Sequence, residues 1–147
     1  MKKLPKKRIG EILIEEGVLE RKTLEKALEV QRKEGGLIGG ILVKMGAISE
    51  NDLVAALSKQ LLIPFIQLAN YHVNRNALKC VPKELAERHL LFPFDQDIHE
   101  LWLAVSDPLN QEFLEAVEKN VSQPVQIFLA TVSEIRQAIT SYYEENS

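Results

Sequence analysis

Cysteine is almost missing from this 147-residue sequence, Cys80 being the single one. A disulfide scaffold within the chain is thereby excluded, and the usage fits a reduced, cytoplasmic protein. Long apolar runs are missing too: none approaches the roughly 20 residues a membrane helix needs, so no direct membrane insertion is expected. Five of the first eight residues are basic (Lys2, Lys3, Lys6, Lys7, Arg8). They lead into no apolar stretch, so they read as a solvated arm and no secretory signal is visible.

Catalytic signatures are equally scarce. The P-loop pattern G-x-x-x-x-G-K-[ST] does not occur, and the glycine-rich stretch GGLIGGILVK has its lysine in the wrong context. His72, His89 and His99 are well separated, without the spacing of metal ligands beside Cys or carboxylates. Cys80 has no evident base partner and reads as a buried structural thiol. The expectation is a protein that is not an enzyme and holds neither metal nor cofactor. Lys and Arg number 18 against 21 Asp and Glu, which gives no broad cationic face, so no DNA or RNA partner is expected.

Two further absences divide the chain. No glycine follows Gly46, and no aromatic residue precedes Phe65. The charge switches at the same place, from +3 over residues 1–61 to −6 over residues 62–147. Pro64 cannot continue a helix and biases Ile63 away from one. The expected organisation is therefore a first domain at 1–62 and a second at 63–147.

What fills the first domain is a repeat. Residues 8–31 (RIGEILIEEGVLERKTLEKALEVQ) align without a gap on residues 37–60 (LIGGILVKMGAISENDLVAALSKQ), with nine of 24 positions identical. Each copy reads as two helices. Ile9, Ile12 and Leu13 have helical spacing, and Gly17 supplies a stop. Leu24, Ala27, Leu28 and Gln31 share one stripe, as do Leu53, Ala56, Leu57 and Gln60. Ser49 with Asp52 suits a helix start, and Glu20 is the weaker counterpart in the first copy. Residues 32–36 read as a short flexible linker. The domain is expected to be two tandem helical hairpins.

The second domain reads as α+β. A patchily helical stretch at 77–88 carries Pro82 in a first turn. Residues 91–94 and 101–105 fit a β-hairpin. A helix at 110–120 turns Phe113, Leu114 and Val117 inward, a strand follows at 125–129, and Thr131 with Glu134 opens a helix at 131–143 with Ile135, Ala138 and Ile139 inward. The order ββαβα implies a small sheet covered by helices.

Gln31 and Gln60 each close an aliphatic stripe. They either mark a helix end in water or carry a hydrogen bond to a ligand. Gly10 and Gly39 either permit close helix packing or let a ligand reach backbone N–H groups, which attract phosphate at helix starts. A twofold-repeated site would suit a twofold-symmetric ligand with two phosphates.

The pattern R-[LI]-G-x-x-L-x-x-x-G-x(6)-L-x(3)-L-x-x-Q, present twice in tandem, resembles the MshEN domain of type II secretion and type IV pilus assembly ATPases. The stretches IPFIQLAN, ALKCVPKELA, LAVSDPLN and TVSEIRQAITSYY are similar to the same family, so the resemblance covers essentially the whole chain. It implies binding of the bacterial second messenger cyclic di-GMP, one half of the dinucleotide on each motif. On that resemblance Arg8 would engage guanine or phosphate, Ile9 and Gly10 would line base and backbone, Leu24 and Leu28 would pack on the purine, and Gln31 would hydrogen-bond to the ligand. Ile38, Gly39, Leu53, Leu57 and Gln60 match these in the second copy. Leu37 stands where the first copy has Arg8, which removes a charge-assisted contact worth about 1.5–3 kcal/mol; Lys6 and Arg32 are the candidate substitutes. The alternative implied by the same family is a docking module that recruits the ATPase to inner-membrane platform proteins, placing it at the inner face of that membrane. Its acidic second half would meet a basic partner. The residues after Tyr142 would then begin a linker to a downstream motor domain.

Overall fold

The computed structural model describes residues 8–143. Lys2, Lys3, Lys6 and Lys7 of the basic arm, and the tail after Tyr143, lie outside the described residues. The chain falls into two compact units that meet between Leu62 and Ile63.

The first unit holds four helices: α1 (Ile9–Glu15), α2 (Arg21–Glu34), α3 (Ile38–Lys44) and α4 (Glu50–Leu61). The stop after α1 is a two-bond cap in which Gly17 N–H donates to Ile14 O at 3.0 Å and Val18 N–H to Leu13 O at 3.1 Å. The second copy repeats it, with Gly46 N–H on Val43 O and Ala47 N–H on Leu42 O, both at 3.0 Å. Gly17 and Gly46 sit at φ 75° and 78°. Glycine adopts this left-handed region without a Cβ penalty, which explains the shared residue. Ser49 caps α4 by accepting from Asp52 N–H at 3.0 Å, whereas Glu20 at the start of α2 makes no side-chain cap. The expected linker at 32–36 is corrected. Residues 32–34 stay helical, since Arg, Lys and Glu are good helix formers, and the break comes at Gly35 and Gly36, both with positive φ.

The helices do not pack mainly within their own copies. α1 packs against α4, α2 against α3, and α1 against α3. Exchanging the two copies maps that pattern onto itself. Ile12, Leu13, Ala27, Leu42 and Leu57 form its core, all at 0% exposure.

The second unit carries a three-stranded sheet in the order β1 (Leu91–Gln96), β2 (Leu101–Val105), β3 (Val125–Leu129). β1 and β2 form the expected antiparallel hairpin, and β3 runs parallel to β2 with Leu101 opposite Val125. The parallel pairing follows from the intervening helix α6 (Gln111–Asn120), which carries the chain back to the start of the sheet. β1 continues two residues beyond the expected Phe94, through a bulge between Pro93 and Asp95. Proline has no N–H for the ladder and is confined to edges and bulges, and β1 is an edge strand. Leu101, Leu103, Phe92, Phe94 and Leu129 are fully buried. Phe94 sits edge-on to Tyr71 at 4.9 Å and to Phe128 at 5.2 Å.

The helical patch near Pro82 is a 3-10 segment at Arg75–Cys80 followed by α5 (Lys83–His89), with Pro82 at the N-cap. α7 (Val132–Ala138) opens on Thr131, whose hydroxyl accepts from Glu134 N–H at 3.1 Å and donates to its carboxylate at 3.2 Å. From Ile139 to Tyr143 the helix widens to a π-helical turn, anchored by the Tyr143 hydroxyl on Val81 O at 2.8 Å. Phe113 and Val117 are buried on α6, while Leu114 is half-buried.

Candidate functional site

Arg8 and Leu37 are the N-cap residues of α1 and α3. Both are extended, at φ −82° and −89°, and neither side chain caps its helix. Both are exposed. One turn inward the copies again agree. A Cβ on Gly10 would stand 2.6 Å from Leu24 Cδ1, and one on Gly39 would stand 3.2 Å from Leu53 Cδ2. Each glycine therefore lets a leucine of the following helix seat against the helix backbone. Of the residues expected at the site, Arg8 and Leu37 are exposed, Leu28, Gln31, Ile38 and Gln60 are half-buried, and Ile9, Gly10, Gly39, Leu24, Leu53 and Leu57 are buried.

The two glutamines, alike in sequence, are held differently. Gln31 Nε2 donates to Gly36 O at 3.0 Å. Gln60 Nε2 donates to the Glu16 carboxylate, whose other oxygen lies 3.3 Å from Lys59 Nζ. The Gln60 hydrogen bond, aided by Lys59 and opposed by burial, holds the Glu16 carboxyl below the usual range. Sequence reasoning did not single out Glu16. It lies off the shared pattern, with Met45 at its place in the second copy, so neither identity nor periodicity marks it.

In the second unit the polar groups are structural. The Tyr71 hydroxyl donates to Asp95, which also accepts from Asn74 Nδ2 at 3.3 Å. Burial, with that carboxylate, pushes the phenol up to about 12. Burial likewise raises the carboxyl of Asp107. Cys80 is half-buried rather than buried, and its thiol reaches Gln96 Oε1 at 3.4 Å and accepts from Gln123 Nε2 at 3.5 Å. Among the described residues no group of three His, Cys, Asp or Glu is placed to hold a metal, and no helix is long and apolar enough to cross a membrane.

A three-stranded sheet and a unit of two duplicated helix pairs define an α+β domain. The MshEN domain model matches residues 61–147, and the chain belongs to that family. That match lies on the sheet-bearing unit, whereas whole-protein similarities take in the repeat as well. The type IV pilus assembly ATPase PilB of Myxococcus xanthus is 38% identical over 94% of this chain, and that of Thermus thermophilus is 29% identical over 95%. Bacteriophage adsorption protein B of Escherichia coli is 24% identical over 92%. The chain spans 24%, 16% and 18% of those proteins. Among solved structures, MshE with cdg matches at a TM-score of 0.79 and 29% identity, over 94% of this chain and all of that one. The N-terminal domain of XpsE shares the fold, at a TM-score of 0.75 and 20% identity over 95% of this chain and 96% of that one.

Proposed function

We propose that this domain is a cyclic di-GMP sensor that regulates a type II secretion or type IV pilus assembly ATPase, with one ligand molecule spanning the two tandem motifs. The similarity to the whole chain of the MshE structure with cdg, read as cyclic di-GMP, carries this reading. The duplication of the two helix pairs suits a two-phosphate, two-purine ligand, while Gly10 and Gly39 themselves serve close helix packing, each against a buried leucine. In the proposed site Arg8 offers a bidentate, stacking guanidinium to guanine or phosphate. Leu28, Leu37 and Ile38 give apolar area to the purines, and Gln31 and Gln60 give amides. Ile9, Leu24, Leu53 and Leu57, expected to line the ligand, are instead buried in the packing of the helices, so their part in binding is indirect.

Binding is asymmetric, because Arg8 has an aliphatic counterpart in Leu37. In calorimetric titration with cyclic di-GMP, with GTP and ATP as controls, Arg8→Ala abolishes binding and Gln60→Ala weakens it. Leu37→Arg strengthens it by about 1 kcal/mol or more, as a new charge-assisted contact does. Equal losses from Arg8→Ala and Gln60→Ala would contradict the asymmetry.

A docking role is the second reading, favoured by the hairpin tip. Ile98 is 93% exposed there between Asp97, which accepts from the His99 and Glu100 N–H groups, and the Glu100 carboxylate. An apolar knob on an acidic turn suits a basic platform protein. If neither the parent nor Leu37→Arg binds at high micromolar ligand, this reading alone stands.

A further inference from the structure

Glu16 and Met45 stand at the same position of the two copies, 29 residues apart, and there the copies part company. Glu16 is the C-cap of α1, with its side chain only 12% exposed although it carries a charge. It reaches across to the last turn of α4, where it accepts from Gln60 and pairs with Lys59. Met45, the C-cap of α3, is exposed and offers no comparable acceptor. Gln31 turns instead to the carbonyl of Gly36 in its own loop. One glutamine is thus held by a carboxylate from the other copy, the other by a neutral backbone group. Hydrogen bonds to an ionised acceptor are roughly twice as strong as neutral ones.

We propose that Glu16 is a latch on the second half-site, holding the Gln60 amide and the Lys59 ammonium in the ligand-free protein so that an anionic dinucleotide must displace it. The inference rests on the proposed dinucleotide function and adds a residue that sets its affinity. Two effects oppose the ligand: the charge-assisted bond to Gln60 must break, and the Glu16 charge repels a phosphate brought beside it. Apparent affinity falls by the fraction of protein that is latched. Removing the carboxylate lifts both effects and frees Lys59 to face the ligand.

The test is calorimetric titration of cyclic di-GMP into the parent, Glu16→Ala, Glu16→Gln, Gln60→Ala and the double variant Glu16→Ala/Gln60→Ala. Glu16→Ala binds about five- to tenfold more tightly than the parent, as expected for a mostly latched state. Glu16→Gln gains less, since it loses the charge but keeps an acceptor. In the Gln60→Ala background the gain shrinks, because the latched amide is gone. Should circular dichroism show Glu16→Ala unfolded, Glu16→Gln carries the comparison. Unchanged or weaker binding by the Glu16 variants, in a parent that binds, overturns the latch and leaves the sensor reading in place. Absence of binding by the parent and every variant overturns both. A second readout follows the Glu16 carboxyl by carbon NMR. It titrates below the ordinary glutamate range in the free protein and returns toward that range at saturating ligand. A carboxyl that does not move on saturation also overturns the latch.

Discussion

A single missing Cβ can do different amounts of work at two equivalent positions. Gly10 and Gly39 begin their copies alike, but the space above them differs: 2.6 Å to Leu24 against 3.2 Å to Leu53. Gly10→Ala must push Leu24 out of a buried seat, and overpacking of this kind costs about 1–3 kcal/mol. Gly39→Ala meets only a branch tip of Leu53, and the better helix propensity of alanine, up to about 1 kcal/mol, offsets it. Urea unfolding of the two variants should show a clear loss for the first and almost none for the second; the reverse order would mean that the copies differ in some other way at their starts. The sequence displayed both glycines and both leucines, because identity across an offset of 29 exposes them. It did not display which pair is tighter. Nor did it reveal Glu16, whose role depends on a partner 44 residues away and on a position where the copies disagree.

At the scale of elements the local signals were mostly sufficient. Gly17 and Gly46 stop their helices by the same pair of backbone hydrogen bonds, and Thr131 and Ser49 cap theirs through their own hydroxyls. These are contacts over three to five residues, which a sequence states directly. The end of α2 lies later than a loop starting at Arg32 would put it, because Arg32, Lys33 and Glu34 are good helix formers and only the glycines break the helix. The bulge at Pro93 and the residue-by-residue register of β3 on β2 depend on long-range pairing, which no local pattern encodes. The caps themselves give a paired expectation. Ser49→Ala should cost about 1 kcal/mol, the usual loss for an N-cap hydroxyl. Glu20→Ser should add up to about the same amount, since α2 starts without a side-chain cap. Thermal melts of both variants check this, and a stabilised Ser49→Ala would contradict the cap.

For the whole molecule, the informative joint is Leu62. It is 78% exposed and sits at φ 54°, a left-handed conformation that leucine adopts at a cost. Exposed, strained backbone is where proteases cut first, and an exposed glycine loop such as Gly35 and Gly36 is cut readily as well. Limited proteolysis is expected to nick near residues 62–64 or at 35–36, with fragments identified by mass. An early cut in β2, whose Leu101, Leu103 and Ala104 are fully buried, would contradict the two-unit organisation. The division of the chain was legible at this scale because glycine, aromatics and charge all change together near Pro64, and the fold class because the second part reads as ββαβα.

The cross-packing of α1 with α4 and α2 with α3 also bears on ancestry. A lone hairpin of 24 residues has little interior of its own beyond the seat of one leucine on one glycine, and its helices lie mainly against those of the other copy. The same surfaces would be satisfied by an identical second chain, arranged as a symmetric dimer. Fusing two such chains needs only a short joint, and Gly35 and Gly36 supply one. Once joined, the halves no longer had to match. Arginine could persist at one end and leucine at the other, with a carboxylate on one side and a thioether on its mate. Divergence between the halves is a freedom that a true homodimer, bound to mutate both sides at once, never has.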